Sequence, residues 1–241
     1  MKYVAVIPAR LASTRLPRKP LREIAGKSMI ARVYEAVSAA KLVSETIVAT
    51  DAREVVEHCE KLGIPARMTS PEHHSGTDRV YEIAGSMDAD VYINVQGDEP
   101  LTRAEHLDSL IRLMQKPGVE VGTLKIACAA SDVANPNVVK VVCDAGGRSL
   151  YFSRSPIPFD RDHGGDIRYF KHLGLYAYRK RALESFCSWP ESSLERAERL
   201  EQLRFLENGV AIHVAETFFD TVGVDTEEDL RRVEALLLAR R

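Results

Sequence analysis

The chain has 241 residues, 45% of them apolar and 28% charged, with a net charge of −2. That length suits one large α/β domain or two small ones. The near-neutral balance excludes an overall field that would draw the chain onto nucleic acid or a membrane surface, so any anion must be bound locally.

No segment approaches the roughly 20 apolar residues that span a bilayer. The apolar run 3–7 is too short for a signal peptide, and cations follow it instead of preceding it. Cys59, Cys128, Cys143 and Cys187 lack C-x-x-C spacing, the pattern of reduced thiols in a cytoplasmic protein.

Residues 3–7 (YVAVI) are expected to form a buried strand stopped by Pro8. The loop that follows gathers Arg10, Arg15, Arg18 and Lys19 among Pro8, Pro17 and Pro20. Such crowded like charges call for an anion or carboxylates among them. Ser28 is placed to cap a helix carrying Met29, Ile30, Val33, Tyr34 and Val37 at helical spacing. A second buried strand is TIVAT, 46–50, after which Asp51 and Glu54 signal a helix start and Gly63 a stop. A short strand is expected at 66–68, then the polar loop TSPEHHSGTD and a helix over 79–87. DVYINVQG, 90–97, is a strongly apolar strand leading into the acidic turn Gly97-Asp98-Glu99-Pro100, with a helix over 103–115.

The second half differs. Strands are expected at 121–127, 137–144 and 148–153, the last two joined as a hairpin across Ala145-Gly146-Gly147. A loop over 154–168 precedes a strand at 172–179, helices are placed at 180–187, 194–207 and 227–240, and a strand at 210–215. The pattern predicts an α/β fold, a mainly parallel sheet flanked by helices, with a smaller antiparallel portion inserted in a single domain spanning 1–241.

Ligands of open parallel sheets bind beyond the carboxyl ends of the strands, so the cationic loop, SGTDR and QGDEP are expected to meet in one crevice. Neither G-x-x-x-x-G-K-[ST] nor G-x-G-x-x-G is present. Ala9, Ala12 and Ser13 allow close approach of a ligand, and Arg10, Arg15 and Lys19 suit phosphate oxygens; a solvated surface loop is the plain alternative. His73 and His74 are poor metal candidates, since adjacent side chains seldom converge on one ion. Ser75, Gly76 and Thr77 resemble a helix entry facing a nucleotide, with Asp78 as a cap and Arg79 reaching the ligand or pairing with Asp78. Asp98 is a hard oxygen ligand suited to Mg²⁺ beside substrate phosphates. Asp225, in VGVDTEEDL, is the candidate second carboxylate, but Asp225 with Glu228 is equally a helix-start signal, and spacing leaves both readings open.

PARLASTRLPRKPL, MTSPEHHSGTDR, NVQGDEP, NPNVVKVV, LYFSRSPIP, HLGLYAY, LEQLR and GVDTEEDL occur in this order across nearly the whole chain. Together they resemble the 3-deoxy-manno-octulosonate cytidylyltransferases, the CMP-Kdo synthetase family. The resemblance implies a Rossmann-like nucleotidyltransferase fold and a cytoplasmic homodimer whose contact surface is an antiparallel portion near 145–180. It also implies CTP and Kdo as substrates and Mg²⁺ as cofactor, with no nucleic acid or membrane partner. Ala9, Arg10, Ser13, Arg15, Lys19, Ser75, Gly76, Thr77 and Arg79 would bind the nucleotide. Asp98 and Asp225 would hold the metal, and Arg10, Arg15, Lys19 and Asp98 would serve catalysis. Gln96, Arg154, His172, Tyr176, Glu201 and Gln202 would contact the sugar acid. One departure stands out: Arg18 replaces the family's usual glycine and requires a permissive backbone angle or a shifted loop. Transfer of CMP to a related acid sugar, such as 8-amino-Kdo or a sialic acid, and a non-catalytic nucleotide-binding protein are the alternatives.

Overall fold

The computed structural model describes residues 1–13, 15–73, 75–162, 164–165 and 167–239; the expectations for His74 and for the last residue of the helix at 227–240 lie outside them. In chain order the first half comprises β1 (Tyr3–Pro8), β2 (Glu23–Ile24), β3 (Lys27–Ser28), α1 (Met29–Ser38), β4 (Glu45–Thr50), α2 (Arg53–Lys61), β5 (Ala66–Met68), α3 (Gly76–Ser86), β6 (Val91–Asn94) and α4 (Ala104–Met114). The remainder comprises β7 (Val121–Ala127), β8 (Lys140–Cys143), β9 (Ser149–Ser153), β10 (Phe170–Arg179), α5 (Lys180–Ser188), α6 (Ser193–Glu198), α7 (Leu203–Glu207), β11 (Ile212–Glu216) and α8 (Glu227–Leu238). Two compact units result, Met1–Asp108 with Asp220–Arg241, and Ser109–Phe219, the division falling inside α4.

In the first unit the strands run in the order β6-β1-β4-β5, all parallel. Val4, Ala5, Val6 and Ile7 of β1 have no exposed surface, which is why the strand shows no polar alternation: a central parallel strand is covered on both faces. The chain steps outward from β1 through α1 to β4 and through α2 to β5, then returns through α3 to β6 on the other side of β1. The direction of winding therefore reverses between β1 and β6, and a crevice opens beyond the carboxyl ends of those two strands.

A satellite core ties the chain ends together. Leu16, Ile24, Met29, Leu101, Val224, Leu230 and Val233 pack as one buried cluster, with Val222 and Leu237 against it. It docks α8 onto the N-terminal loop, and the Arg22 guanidinium adds two 2.8 Å hydrogen bonds to Glu227. The β2–β3 hairpin, absent from the sequence expectations, turns across Ala25 and Gly26 at φ 47° and 81°, the double positive φ of a type I′ turn.

In the second unit β7 pairs with β10 antiparallel and with β11 parallel, and β8 pairs antiparallel with β9 and with β10. The expected hairpin is present: Asp144 Oδ1 accepts from the N–H groups of Gly146 and Arg148 at 2.9 Å each, and Gly147 adopts φ 81°. The helix expected over 194–207 is two helices, because Arg199 leaves the helical region at φ 55°. Among the described residues no helix is long and apolar enough to cross a membrane.

Two expected caps are corrected. Ser28 stands at the N-cap of α1, but its hydroxyl lies 2.8 Å from His58 Nε2 and does not cap. Ala52, not Asp51, stands at the N-cap of α2, since the Asp51 carboxylate is taken by Arg79.

Candidate active site

Three loops reach the crevice end of the first unit. The exit of β6 turns at Gly97, where an added Cβ would lie 2.5 Å from the Pro8 carbonyl oxygen. Only glycine lets the two strand exits approach so closely, and the next residue is Asp98. The Val224 N–H donates to the Asp98 carbonyl at 2.9 Å, which sets the segment before α8 against the same turn.

Asp225 follows, and its role is decided by its neighbour. Thr226 is the N-cap of α8: Thr226 Oγ1 accepts from the Asp229 N–H at 3.2 Å, and Asp229 Oδ2 accepts from the Thr226 N–H at 3.0 Å. This reciprocal capping box satisfies the helix end, so the expected Asp225–Glu228 start is displaced by one residue and the Asp225 carboxylate is released from capping. It meets Lys19 instead. Lys19 Nζ donates to Asp98 Oδ2 at 2.6 Å and to Asp225 Oδ1 at 3.0 Å, while Arg15 lies 3.0 Å from Asp225 Oδ2. The Lys19 side chain is 15% exposed, Asp98 33% and Asp225 46%. Burial works against charge on Lys19, but the two carboxylates outweigh it and hold the ammonium pKa above its ordinary value.

Two hard carboxylates within reach of one cationic nitrogen form a donor set that fits Mg²⁺, which takes one or two carboxylates and completes its shell with phosphate oxygens and water. Among the described residues no group of three or more His, Cys, Asp or Glu could hold a metal on its own.

The expected nucleotide residues divide. Arg10 has no hydrogen-bond or ion-pair partner among the described residues, and Ser13 Oγ accepts from the Leu16 N–H at 3.3 Å, shaping the loop. Ala9 is buried and its N–H is committed to the Ala49 carbonyl at 2.9 Å, so that donor is not available to a ligand. Ser75 and Asp78 form the capping box of α3, which begins at Gly76, three residues earlier than expected. The helix entry reaches the strand ends: a Cβ at Gly76 would lie 3.4 Å from Pro8 Cγ and 3.7 Å from Asn94 Nδ2, and Thr77 is buried beside it.

Arg79 differs from expectation. It has 0% exposure, pairs with Asp51 instead of Asp78, and donates to Thr69 Oγ1 at 2.6 Å and to the Ser70 carbonyl at 3.2 Å. Its charge is consumed inside the first unit, where it pins the β4 and β5 exits to α3. The sequence missed this because Asp51 and Thr69 come within reach of Arg79 only once the strands are aligned.

Of the expected sugar contacts, Gln96 stands at the exit of β6 in the first unit, half-buried, and the others lie in the second unit. His172 and Tyr176 lie on β10, on either side of a register shift between Leu173 and Tyr176. Such irregularities re-aim side chains near functional sites. Although His172 as a whole keeps some exposed surface, its ring is walled in by Phe152 and Tyr176, with centroids 5.0 and 5.3 Å away, and Nε2 lies 3.1 Å from Thr123 Oγ1. Burial pushes its pKa down to about 3, leaving a neutral imidazole.

Burial also raises the Tyr176 phenol well above its ordinary pKa, so it remains an O–H. That oxygen is buried without a hydrogen-bond partner among the described residues, as is Gln202 Nε2. Thr123 is near Tyr176, but its hydroxyl faces the Leu173 and Leu175 carbonyls. Buried polar atoms left unpaired are costly and point to an absent ligand or water. Glu201 is exposed at the turn before α7. Arg154, expected to fork onto a carboxylate, is already engaged by main-chain carbonyls: Nε with Glu198 at 2.6 Å, and its two terminal nitrogens with Pro136 at 2.9 Å and Arg199 at 3.3 Å.

Arg18 resolves the departure noted in the cationic loop. It adopts φ 57°, ψ 33°, so the left-handed geometry that glycine favours is retained with an arginine in place, and its guanidinium pairs with Glu54.

A family profile described as cytidylyltransferase matches residues 4–212. The chain is 64% identical to a 3-deoxy-manno-octulosonate cytidylyltransferase of Koribacter versatilis, covering 100% of this chain and 92% of that one. Its identity to the protein of the same name from Acidobacterium capsulatum is 56%, covering 100% and 98%. A solved structure of CMP:2-keto-3-deoxy-manno-octonic acid synthetase complexed with CTP matches with a TM-score of 0.96 at 44% identity, covering 100% of both chains.

Proposed function

The chain belongs to the 3-deoxy-manno-octulosonate cytidylyltransferase family, and on that premise we propose that it transfers CMP from CTP to the 2-hydroxyl of Kdo, with release of pyrophosphate. The observation that carries this reading is the single Lys19 ammonium shared by Asp98 and Asp225 beyond the ends of β1 and β6. A parallel sheet presents its ligand there, and a triphosphate needs hard oxygen donors and cations in one place.

In the proposed reaction the sugar hydroxyl oxygen bonds to the α-phosphorus of CTP, the bond from that phosphorus to the oxygen bridging the α- and β-phosphates breaks so that pyrophosphate leaves, and the hydroxyl proton passes to solvent water. Arg10 and Arg15 attract the phosphate oxygens, and Lys19 follows the negative charge as it moves to the leaving pyrophosphate. Asp98 and Asp225 would hold Mg²⁺, which when bound would supply neutralisation of the triphosphate. Positioning and charge neutralisation carry most of the catalysis, without a covalent enzyme intermediate. Within the second unit, the acid sugar is the ligand we assign to the buried Tyr176 hydroxyl and Gln202 amide, with His172, Glu201 and Arg154 beside them in the same unit.

A role in lipopolysaccharide biosynthesis, a cytoplasmic location and a homodimeric state complete the reading. The homodimeric state is supported by the exposed apolar side chains of Leu150 and Phe159 in the second unit.

The test is pyrophosphate release with CTP, Mg²⁺ and Kdo, repeated with UTP, with 8-amino-Kdo and with sialic acid. Turnover confined to CTP and Kdo is expected. Faster turnover with another acid sugar would transfer the assignment to that sugar, and no release with any of them would leave a nucleotide-binding protein without catalysis.

A further inference from the structure

Lys140 is the lone cation in the apolar run Val138–Val142, and it has no exposed surface. Its ammonium donates to three main-chain carbonyls, Asn135 at 2.9 Å, Val138 at 2.5 Å and Arg154 at 2.6 Å, which uses all three of its protons. No carboxylate forms an ion pair with it among the described residues.

For folding alone such a group is a poor choice, because an apolar side chain of similar volume fills a strand interior without a desolvated charge. What the charge achieves is geometric. Lys140 fixes the carbonyls of Asn135 and Val138, and Arg154 fixes that of Pro136 between them. Arg154 in turn holds the carbonyls of Glu198 and Arg199, while Glu198 accepts from the Arg154 N–H at 2.9 Å and from Ser153 Oγ at 2.5 Å. Glu201 and Gln202 follow immediately after this clamp.

Resting on the Kdo reading above, we infer that Lys140 is a positioning residue for the acid sugar: it locks the 135–138 turn to the Arg154 main chain and, through Arg154, holds the 198–202 turn in its binding geometry. It touches no substrate itself. The residues assigned to the nucleotide lie in the other unit, and none of them is a partner in these hydrogen bonds.

The test is steady-state pyrophosphate release with K140M, which keeps the stem and removes the donors, and with K140Q, whose amide is too short to reach three carbonyls. Both are expected to raise the KM for Kdo at least tenfold while the KM for CTP stays within twofold of wild type. A purely structural role would lower the active fraction and leave both KM values in place. If K140M does not fold, the same split read on K140Q decides. An unmoved KM for Kdo in the folded variants overturns the role of Lys140. A wild-type protein inactive with Kdo overturns the functional reading, and this inference with it.

Discussion

The Val224 N–H donates to the Asp98 carbonyl at 2.9 Å, so the turns bearing the two carboxylates of the site are joined through the main chain. Their proximity is therefore not an accident of side-chain rotamers. The Lys19 bridge between Asp98 and Asp225 is laid over a scaffold already held by that bond and by the cluster of Leu16, Leu101, Val224 and Leu230.

From that scaffold, D98A and D225A are expected to lower kcat by at least ~100-fold while far-UV circular dichroism and the thermal midpoint stay close to wild type. Retained pyrophosphate release in D98A would remove the metal-holding role. A collapse of the fold would show instead that the Lys19 bridge is structural.

Arg79 supplies a contrasting case, because its charge is fully enclosed. R79M leaves the Asp51 carboxylate without its partner and is expected to cost ~3 kcal/mol of stability, read as a lower urea midpoint. The KM for CTP of the folded fraction is expected to remain within twofold. A large rise in that KM with unchanged stability would return Arg79 to the nucleotide.

Gly97 faces a backbone oxygen that cannot swing away. G97A is expected to destabilise by ~2 kcal/mol through overpacking and to lower turnover, because the shift falls on the residue before Asp98. Denaturant melts and kcat measured on the same preparation check this; a variant equal to wild type in both would show that the turn has room to relax.

At Arg18 the left-handed backbone costs ~1 kcal/mol for any residue with a Cβ, and the exposed pair with Glu54 returns at most a similar amount. R18G relieves the strain while R18A keeps it and loses the pair. R18G is therefore expected to be more stable than R18A by ~1 kcal/mol. Equal urea midpoints would mean that the loop rearranges when the arginine is removed.

His172 couples stability to pH. Its folded pKa of about 3 lies below the ordinary value of about 6.5, so between those limits the unfolded chain binds a proton that the folded chain refuses. Stability from this residue is intact above pH 6.5 and declines as pH falls towards 3, by on the order of 1 kcal/mol per pH unit. H172Q cannot protonate, and its loss of stability from pH 7 to pH 5 is expected to be smaller than that of wild type. Equal losses in urea melts would assign the acid limb to other groups.

Much of the molecule was legible in the chain. The strands at 66–68 and 121–127 fall where residue type and length placed them, and the hairpin at 145–147 follows from its glycines. Errors gathered where a polar side chain had two local uses. Asp51 and Asp225 each resemble a helix cap, and in each case the neighbouring residue stands at the N-cap and a distant cation takes the carboxylate. The break at Arg199 was hidden for a similar reason, since a left-handed residue without glycine leaves no mark in composition.

The amino-acid order by itself determined the alternation of strands and helices, the apolar β1 and β6, and the loops that carry charge at their exits, because period and turn chemistry act over a few residues. Which partners those charges find was decided only by the folded chain. Lys19 chooses two aspartates, Arg79 turns inward to Asp51, and Lys140 gathers carbonyls from separate segments. Electrostatic and hydrogen-bond pairing depends on distances of a few ångströms between residues far apart in sequence, and only the packing of the sheet and of α8 sets those distances.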